Sequence, residues 1–283
     1  MSDERLRTYL RQRWLRLSLA LFLLLWLLPI LALPLSPQLI LLMLWQGLLL
    51  GMMALLGVRR LESAWLRERE RSAERQQQFN WLYSRLRPRR PLPAWEGSMA
   101  EPSLLVAAVE AVLARANPSV IELGSGFSTL VLAYALEAKG EGRLIALEDN
   151  ARFAAVTRRL LAEHGLEQYA TVIDAPLRPL ELDDGAYRWY SLPVEEIEAP
   201  VDLLLVDGPA GGLAASIRYP ALPALLEYLA KDAIILADDT DRYHERQNVV
   251  RWLQKTPQLA IDDELSASSY TVLRIAKKES DSA

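Results

Sequence analysis

Cysteine is absent from this chain of 283 residues, and histidine occurs only twice. Without cysteine there can be no disulfide bond, thiolate nucleophile or cysteine-ligated zinc. The two histidines, His164 and His244, argue against a metal centre built from several imidazole groups. Any catalytic or binding chemistry must therefore rest mainly on carboxylates, hydroxyls, arginines and the backbone.

Charged side chains are also absent from residues 17–58, and the remaining charge is unevenly distributed. Residues 1–16 carry a net charge of +3 and residues 59–90 a net charge of +6. Because the whole chain is −4, residues 91–283 carry −13. Such an acidic field disfavours nucleic acid as a partner.

Two apolar runs, Leu15–Leu33 and Gln38–Val58, fill the uncharged stretch. Each approaches the ~20 helical residues that cross a bilayer core. Pro34 and Pro37 break the chain between them. We therefore predict an N-terminal transmembrane hairpin over residues 1–58. The alternatives are a re-entrant insertion, or a signal peptide followed by a buried helix.

Arginines flank this predicted hairpin at both ends, whereas its turn carries no charge. Five arginines, of which Arg16 is the last, lie before or at the start of the first run, and Arg59 and Arg60 follow the second. The positive-inside rule then places both termini in the cytoplasm, in a multi-pass protein of the inner membrane. Gly47 and Gly51 have the G-x-x-x-G spacing that lets helices approach closely, so a homodimer through the second span is one expectation.

Residues 59–93 are predicted to form a basic helical neck or linker. Glutamate and arginine alternate there, as in a solvated spacer helix, although juxtamembrane arginines also suit contact with anionic lipid. The prolines between Pro88 and Pro93 end the helix. We therefore predict a soluble domain over residues 94–283.

Apolar runs of β type alternate with helical patterns throughout this domain. The alternation predicts an α/β fold with a doubly wound, mostly parallel seven-stranded sheet and an antiparallel edge hairpin, preceded by two transmembrane helices. Strands are expected at residues 119–123, 143–147, 170–173, 201–206, 233–237, 259–261 and 270–275, and helices at 101–115, 128–139, 151–163, 219–229 and 242–254. The polar stretch around Asp183-Asp184-Gly185 is left without a predicted element.

Carboxylates stand at or near the ends of five consecutive parallel strands, where ligands of such sheets bind. They are Glu122, Glu148, Asp174, Asp207 and the pair Asp238-Asp239. Gly124 and Gly126 form a small-residue turn after the first strand, which lets backbone approach a ligand closely. The sequence therefore predicts one acidic cleft lined by a glycine turn.

The stretch from Glu122 to Ser128 reads Glu-x-Gly-x-Gly-x-Ser, and Thr129 stands where a dinucleotide fingerprint needs a small residue. With Glu148 about 24 residues after Gly124, the region resembles the class I S-adenosylmethionine-dependent methyltransferases. The likeness runs from Trp95 to Ile275. The turns Val206-Asp207-Gly208-Pro209 and Asp238-Asp239-Thr240 resemble in particular the small-molecule O-methyltransferase branch.

The resemblance implies S-adenosylmethionine as the cofactor. It assigns the methionine part to the glycine turn and Glu122, the ribose hydroxyls to Glu148, and the adenine amino group to Asp174. The complete implied cofactor set is Glu122, Gly124, Ser125, Gly126, Ser128, Glu148, Asp149 and Asp174.

Two ways of removing the acceptor's proton are left open. In one, Asp207, Asp238 and Asp239 hold Mg²⁺ or another divalent cation, as the resemblance implies. That branch usually has Asn where this chain has Asp239, and a lysine after Asp207 that is missing here. In the other, His244 is the base, oriented by Asp238 or Asp239.

Arg218, Tyr219 and Arg242 are the predicted substrate-binding residues, suited to an anionic or sugar acceptor. The expected function is O-methylation of a small-molecule, glycan or lipid-linked acceptor at the cytoplasmic face of a bilayer. The alternatives are an aminopropyltransferase, an NAD-dependent oxidoreductase, or a non-catalytic membrane scaffold that retains the cofactor fold.

Overall fold

The computed structural model describes residues 36–96, 99–197 and 199–275. The first predicted span, Leu15–Leu33, lies outside the described residues, so the hairpin prediction stands without a structural test. The chain divides into two compact units between Ser72 and Ala73.

A single helix, α1 (Pro37–Leu86), contains the second predicted span and most of the predicted neck. No proline interrupts it, and leucine, methionine, arginine and glutamine are all good helix formers. Its large apolar side chains between residues 39 and 56 are exposed, as at Trp45 and Leu48. Among the described residues it is the one helix long and apolar enough to cross a membrane, by length and composition.

The last turns of α1 belong to the second unit and pack into its core. Leu82 is fully buried. The ring of Phe79 meets those of Trp95 and Phe127 edge-on, with centroids 6.2 and 6.3 Å apart. The compact unit starts at Ala73, about twenty residues before the predicted start of the soluble domain.

Seven strands form the predicted sheet, in the order β3-β2-β1-β6-β7-β9-β8. The first five of these pair in parallel, whereas β9 is antiparallel to both β7 and β8. The strands are β1 (Ser119–Leu123), β2 (Arg143–Glu148), β3 (Ala170–Asp174), β4 (Leu177–Leu182), β5 (Gly185–Tyr190), β6 (Val201–Val206), β7 (Leu229–Ala237), β8 (Leu259–Ile261) and β9 (Thr271–Ile275). The α/β class, the mostly parallel sheet and the antiparallel edge are confirmed.

Successive strand residues enter two separate cores, one on each face of the sheet. Val120 and Leu144 join the first core, and their neighbours Ile121 and Ile145 join the second. The helices of the second unit are α2 (Pro102–Leu113), α3 (Phe127–Lys139), α4 (Ala151–His164), α5 (Ala221–Leu225) and α6 (Tyr243–Lys255). Side chains of α2, α3 and α4 lie in the first core, and those of α5 and α6 in the second, which confirms the doubly wound arrangement.

Two predicted stretches differ from the structure. The polar stretch after β3 forms a separate antiparallel hairpin of β4 and β5, which turns at Asp183-Asp184. The helix predicted over residues 219–229 shortens to α5 and a 3₁₀ turn. In a helix that began at Tyr219, the Pro223 ring would clash with the Tyr219 carbonyl, which agrees with the later start at Ala221. Leu229, expected in that helix, begins β7.

Candidate functional site

The carboxyl ends of five parallel strands meet at one edge of the sheet, as the sequence predicts. β1 lies between β2 and β6, and β7 lies beyond β6. Glu148 and Asp174 are direct register partners at the ends of β2 and β3. This edge therefore gathers the predicted acidic residues into one region.

Two glycine turns touch each other at the centre of this edge. Gly124 has φ +97°, which favours glycine, and its N–H donates to the carbonyl of Leu147 at 2.8 Å. A Cβ atom added to Gly208 would lie 2.8 Å from the Gly124 nitrogen and 2.3 Å from the Tyr190 hydroxyl. Only glycine fits at position 208, because the Gly124 backbone and the Tyr190 hydroxyl converge there.

Glu148 is buried beside the glycine turn, and hydrogen bonds hold both of its oxygens. The Ser125 hydroxyl donates to Oε2 at 2.9 Å, and the Asn150 N–H donates to Oε1 at 3.1 Å. Burial raises the pKa of this carboxyl, and these two donors partly offset the effect. The structure thus joins two predicted cofactor residues, Ser125 and Glu148, and fixes the carboxylate in one orientation.

Glu122 is completely buried beneath the same turn. Neither of its carboxylate oxygens makes a standard hydrogen bond within the described residues. Burial raises its pKa to about 7, although the nearby hydroxyls of Ser128 and Thr129 pull the pKa down. Buried carboxylates are normally hydrogen-bonded, so this one is suited to receive a donor from a ligand.

Tyr190, which sequence reasoning missed, is a second buried polar group without a partner. Its hydroxyl makes no hydrogen bond among the described residues and lies against Gly208. Burial, helped by the charges of Asp149 and Glu148, raises the pKa of this phenol well above its usual value. The residue ends β5, the strand that the sequence left unassigned.

The two remaining predicted cofactor carboxylates are more accessible. Asp149 is half-buried, and burial raises its pKa. Asp174 is 53% exposed and forms an ion pair with Arg158 at 3.0 Å. The same guanidinium donates to the Val172 carbonyl, so α4 already supplies Asp174 with a cationic partner.

Asp207, Asp238 and Asp239 form an acidic cluster at the ends of β6 and β7. Their nearest carboxylate oxygens lie within 4.8 Å of one another. Burial and the neighbouring Asp239 raise the pKa of Asp238 to about 6. Burial and Asp238 raise the pKa of Asp207 well above its usual range. The predicted convergence of the three aspartates is present.

Arg218 inserts its guanidinium into this acidic cluster and is only 4% exposed. Its Nε donates to the Pro209 carbonyl at 2.9 Å, and its terminal nitrogens lie 3.6 Å from Asp207 and 3.1 Å from Asp239. Arg242 pairs with the same Asp239 oxygen at 2.8 Å. Arg218 is therefore an internal counter-ion, which differs from the substrate contact that the sequence suggested.

This arrangement also fails the test for a divalent cation. Magnesium needs several free oxygen ligands in near-octahedral geometry. One oxygen of Asp239 is engaged by two guanidinium groups, and Asp207 faces one of them. We therefore derive no catalytic step through a metal ion.

His244, the predicted base, is exposed at the start of α6, and its ring lies edge-on to Tyr243. The next residue, Glu245, is buried instead and accepts a hydrogen bond from Asn248 at 2.9 Å. Glu245 lies close to Gly211, where an added Cβ would be 3.0 Å from its Oε1. The helical spacing of Glu245, Asn248 and Trp252 was the signal that would have identified this inward face.

Tyr219, a predicted substrate residue, anchors the β4–β5 hairpin. Its hydroxyl donates to Asp184 in the hairpin turn at 2.7 Å. The Arg251 guanidinium lies 3.5 Å from the centre of the Tyr219 ring and also donates to Asp184 at 2.8 Å. These contacts, with a further ion pair from Lys255, lower the pKa of Asp184 well below its usual value.

Residues 121–240 match the family model described as a methyltransferase domain, and this stretch includes the glycine turns and the acidic cluster. The chain is 29% identical over 161 residues to an arginine N(omega)-methyltransferase from Streptomyces achromogenes subsp. streptozoticus. That alignment covers 56% of this chain, and the chain spans 41% of the length of that relative.

Solved structures with similar folds include two O-methyltransferases. One, from Bacillus cereus in complex with SAH, has a TM-score of 0.44 at 17% identity, covering 66% of this chain and 84% of that chain. The other is TomG from Streptomyces achromogenes in complex with SAM, with a TM-score of 0.43 at 18% identity, covering 63% and 81%. The fold described above rests on this chain's own strand order.

Proposed function

Starting from a methyltransferase domain over residues 121–240, we propose that this protein is a membrane-anchored S-adenosylmethionine-dependent methyltransferase. The observation that carries the proposal is two buried side chains whose oxygens find no standard hydrogen-bond partner among the described residues. They are Glu122, two residues before Gly124, and Tyr190, whose hydroxyl lies against Gly208. Such buried oxygens suit a ligand that donates hydrogen bonds to them and lies against the backbone of the glycine turns.

The residues present fit the cofactor. Glu122 suits its ammonium group, the glycine turns leave room for its methionine part, and the oriented Glu148 suits the paired ribose hydroxyls. When bound, S-adenosylmethionine supplies an electrophilic methyl group on a sulfonium centre. The surrounding carboxylates favour that fixed positive charge.

Asp238 is the proposed general base for the acceptor. A pKa of about 6 leaves it mostly ionised at neutral pH and well matched for proton transfer. Asp207 and Glu245 border the same region, and Arg218 holds Asp207 and Asp239 in place. This assignment retains Asp238 from the sequence analysis and gives no catalytic role to the exposed His244.

A hydroxyl on a small-molecule, glycan or lipid-linked compound remains the proposed acceptor. A nitrogen acceptor is the second candidate, because an arginine N-methyltransferase aligns with 56% of the chain and because acids outnumber arginines around the cluster within the described residues. The acids are Asp207, Asp238, Asp239 and Glu245, and the arginines are Arg218 and Arg242. A cationic amine or guanidinium would suit that acidic surplus.

The proposed cellular location is the cytoplasmic face of the inner membrane. It is supported by the exposed apolar part of α1 and by the arginines that follow it. The two-span hairpin, the cytoplasmic termini and a homodimer through Gly47 and Gly51 belong to the same proposal.

The test uses the full chain in detergent micelles with radiolabelled S-adenosylmethionine. Methyl transfer is measured against lipid extracts, soluble hydroxyl compounds, and arginine or short amines. Transfer to lipid or hydroxyl fractions supports the first acceptor, and transfer to nitrogen compounds supports the second.

Calorimetric titration separates the alternative enzymes. Tighter binding of NAD than of S-adenosylmethionine would indicate an oxidoreductase, and tighter binding of decarboxylated S-adenosylmethionine would indicate an aminopropyltransferase. Binding without transfer would indicate a scaffold.

A further inference from the structure

The acidic cluster of Asp207, Asp238 and Asp239 contains its own cation. Three carboxylates within 4.8 Å repel one another when ionised, and a positive charge among them offsets that repulsion. The residue that supplies it, Arg218, is buried and comes from the loop between β6 and α5. A divalent ion would have to displace or share this position.

Three contacts fix the Arg218 guanidinium. Its Nε is held by the Pro209 carbonyl, directly after the glycine turn at Gly208. Its two terminal nitrogens face Asp207 on one side and Asp239 on the other. The planar fork therefore spans the ends of β6 and β7 with little freedom to swing away.

The backbone at Asp239 supports the same arrangement. Asp239 has φ +61°, an unusual conformation for a residue other than glycine, and its N–H donates to the Asp238 carboxylate at 2.8 Å. The resulting turn presents the Asp239 side chain to both Arg218 and Arg242. Asp239 stands where the related metal-dependent branch usually has Asn, and its extra negative charge is matched by a buried positive one.

We infer that Arg218 replaces a divalent ion in this cleft and acts as a positioning residue that holds Asp207 and Asp239 without metal. The inference rests on the proposed function in one respect, because it takes the cluster as the place where the methyl acceptor binds. It implies that the protein works without a metal ion, and it accounts for an aspartate at position 239 where the metal-dependent pattern has Asn.

The experiment measures Mn²⁺ binding to the full chain in detergent by electron paramagnetic resonance, with Mg²⁺ competition. Wild-type protein is expected to show no saturable site. The R218Q variant is expected to gain one saturable Mn²⁺ site per chain, because the cluster then lacks its central positive charge. The double change R218Q with D207N is expected to lose that site.

The control is R159Q, which removes an exposed arginine on α4 and is expected to behave as wild type. Circular dichroism melts report whether each variant folds. Should R218Q unfold, R218M is the second variant, because it keeps an unbranched apolar side chain at this buried position without the charge, and it is expected to gain the same Mn²⁺ site.

A saturable Mn²⁺ site in wild type, or no gain of Mn²⁺ in a folded R218Q, would overturn the inference. Cofactor titrations of the same samples in EDTA and in Mg²⁺ are expected to give equal affinities. Absence of S-adenosylmethionine binding would count against the proposed function. It would not affect the test of Arg218, because Mn²⁺ binding is measured without the cofactor.

Discussion

At the residue scale, two buried side chains, Glu122 and Tyr190, find no standard hydrogen-bond partner within the part of the chain that the structure describes. Leaving a buried polar atom unpaired costs roughly 1–3 kcal/mol, so each represents stability that a ligand can recover. Glu122 could be predicted from the sequence because it belongs to a recognisable motif. Tyr190 could not, because only the packing of β5 against Gly208 reveals it.

The first prediction concerns pH. An acid whose folded pKa is raised from 4.5 to about 7 retains its proton after the unfolded chain has lost it. The free energy of unfolding should therefore fall as pH rises between these values, and should level off above pH 7. For Glu122 the expected loss is at most ~3 kcal/mol.

The E122Q variant should lack this part of the pH dependence. It should be more stable than wild type above pH 7 and should bind the cofactor more weakly. Urea denaturation between pH 4.5 and 8, followed by tryptophan fluorescence, provides the measurement. Glu148 and Asp238 also have raised pKa values, and they are present in both proteins. The difference in the free energy of unfolding between wild type and E122Q therefore reports the contribution of Glu122. If the free energy of unfolding changes with pH in the same way in both proteins, Glu122 does not cause the pH dependence.

The second prediction concerns Y190F. Removing an unpaired buried hydroxyl should leave stability unchanged or raise it by about 1 kcal/mol, because a desolvation cost disappears. Cofactor affinity should fall by about tenfold, because a ligand loses one hydrogen bond. Thermal melts and calorimetric titration measure the two effects. The exposed Tyr243, changed to Phe, is the control, and equal affinity in both variants would contradict the assignment.

At the scale of elements, the parallel strands were the most predictable feature. Val201–Val206 is a nearly continuous apolar run, as buried parallel strands require, and its limits match the prediction. The β4–β5 hairpin was missed because Pro179 and several polar residues obscure its alternating pattern. The inward face of α6 was also missed. The prediction chose His244 for its ordinary pKa near neutrality, but His244 is exposed and Glu245 is the buried residue.

The third prediction concerns the anchoring of this hairpin. D184A removes the acceptor shared by Tyr219, Arg251 and Lys255, and should destabilise the second unit by about 1–3 kcal/mol. Amide exchange over residues 177–190 should accelerate, while β1 and β2 remain protected. D183A, at the exposed neighbouring position, is the matched control. Uniform exchange changes across the sheet would argue against a local tether.

At the scale of the whole molecule, composition alone indicated an apolar segment, a basic segment after it and an acidic C-terminal part. The structure adds that the end of α1 is a component of the second unit's core, through Phe79 and Leu82. The sequence does contain a signal, since Phe79, Leu82 and Leu86 recur at helical spacing, but the rest of the segment has the composition of a solvated helix.

The fourth prediction follows from that packing. Deleting residues 1–58 should release the protein from membranes and leave a folded domain that binds cofactor as the full chain does. Deleting residues 1–93 should destabilise it, because Leu82 and Leu86 would leave a cavity in the core. Sedimentation with membranes and thermal melts distinguish the two truncations. Equal stability of both would contradict the role assigned to the end of α1.

The central claim is that the sheet edge around the two glycine turns binds S-adenosylmethionine, and calorimetric titration of the full chain tests it most directly. Wild type and the exposed control E163Q are expected to bind one cofactor per chain with equal affinity. E148A should bind at least about tenfold more weakly, because the buried acceptor for the ribose is lost. Absence of binding in wild type, or unchanged binding in a folded E148A, would contradict the account.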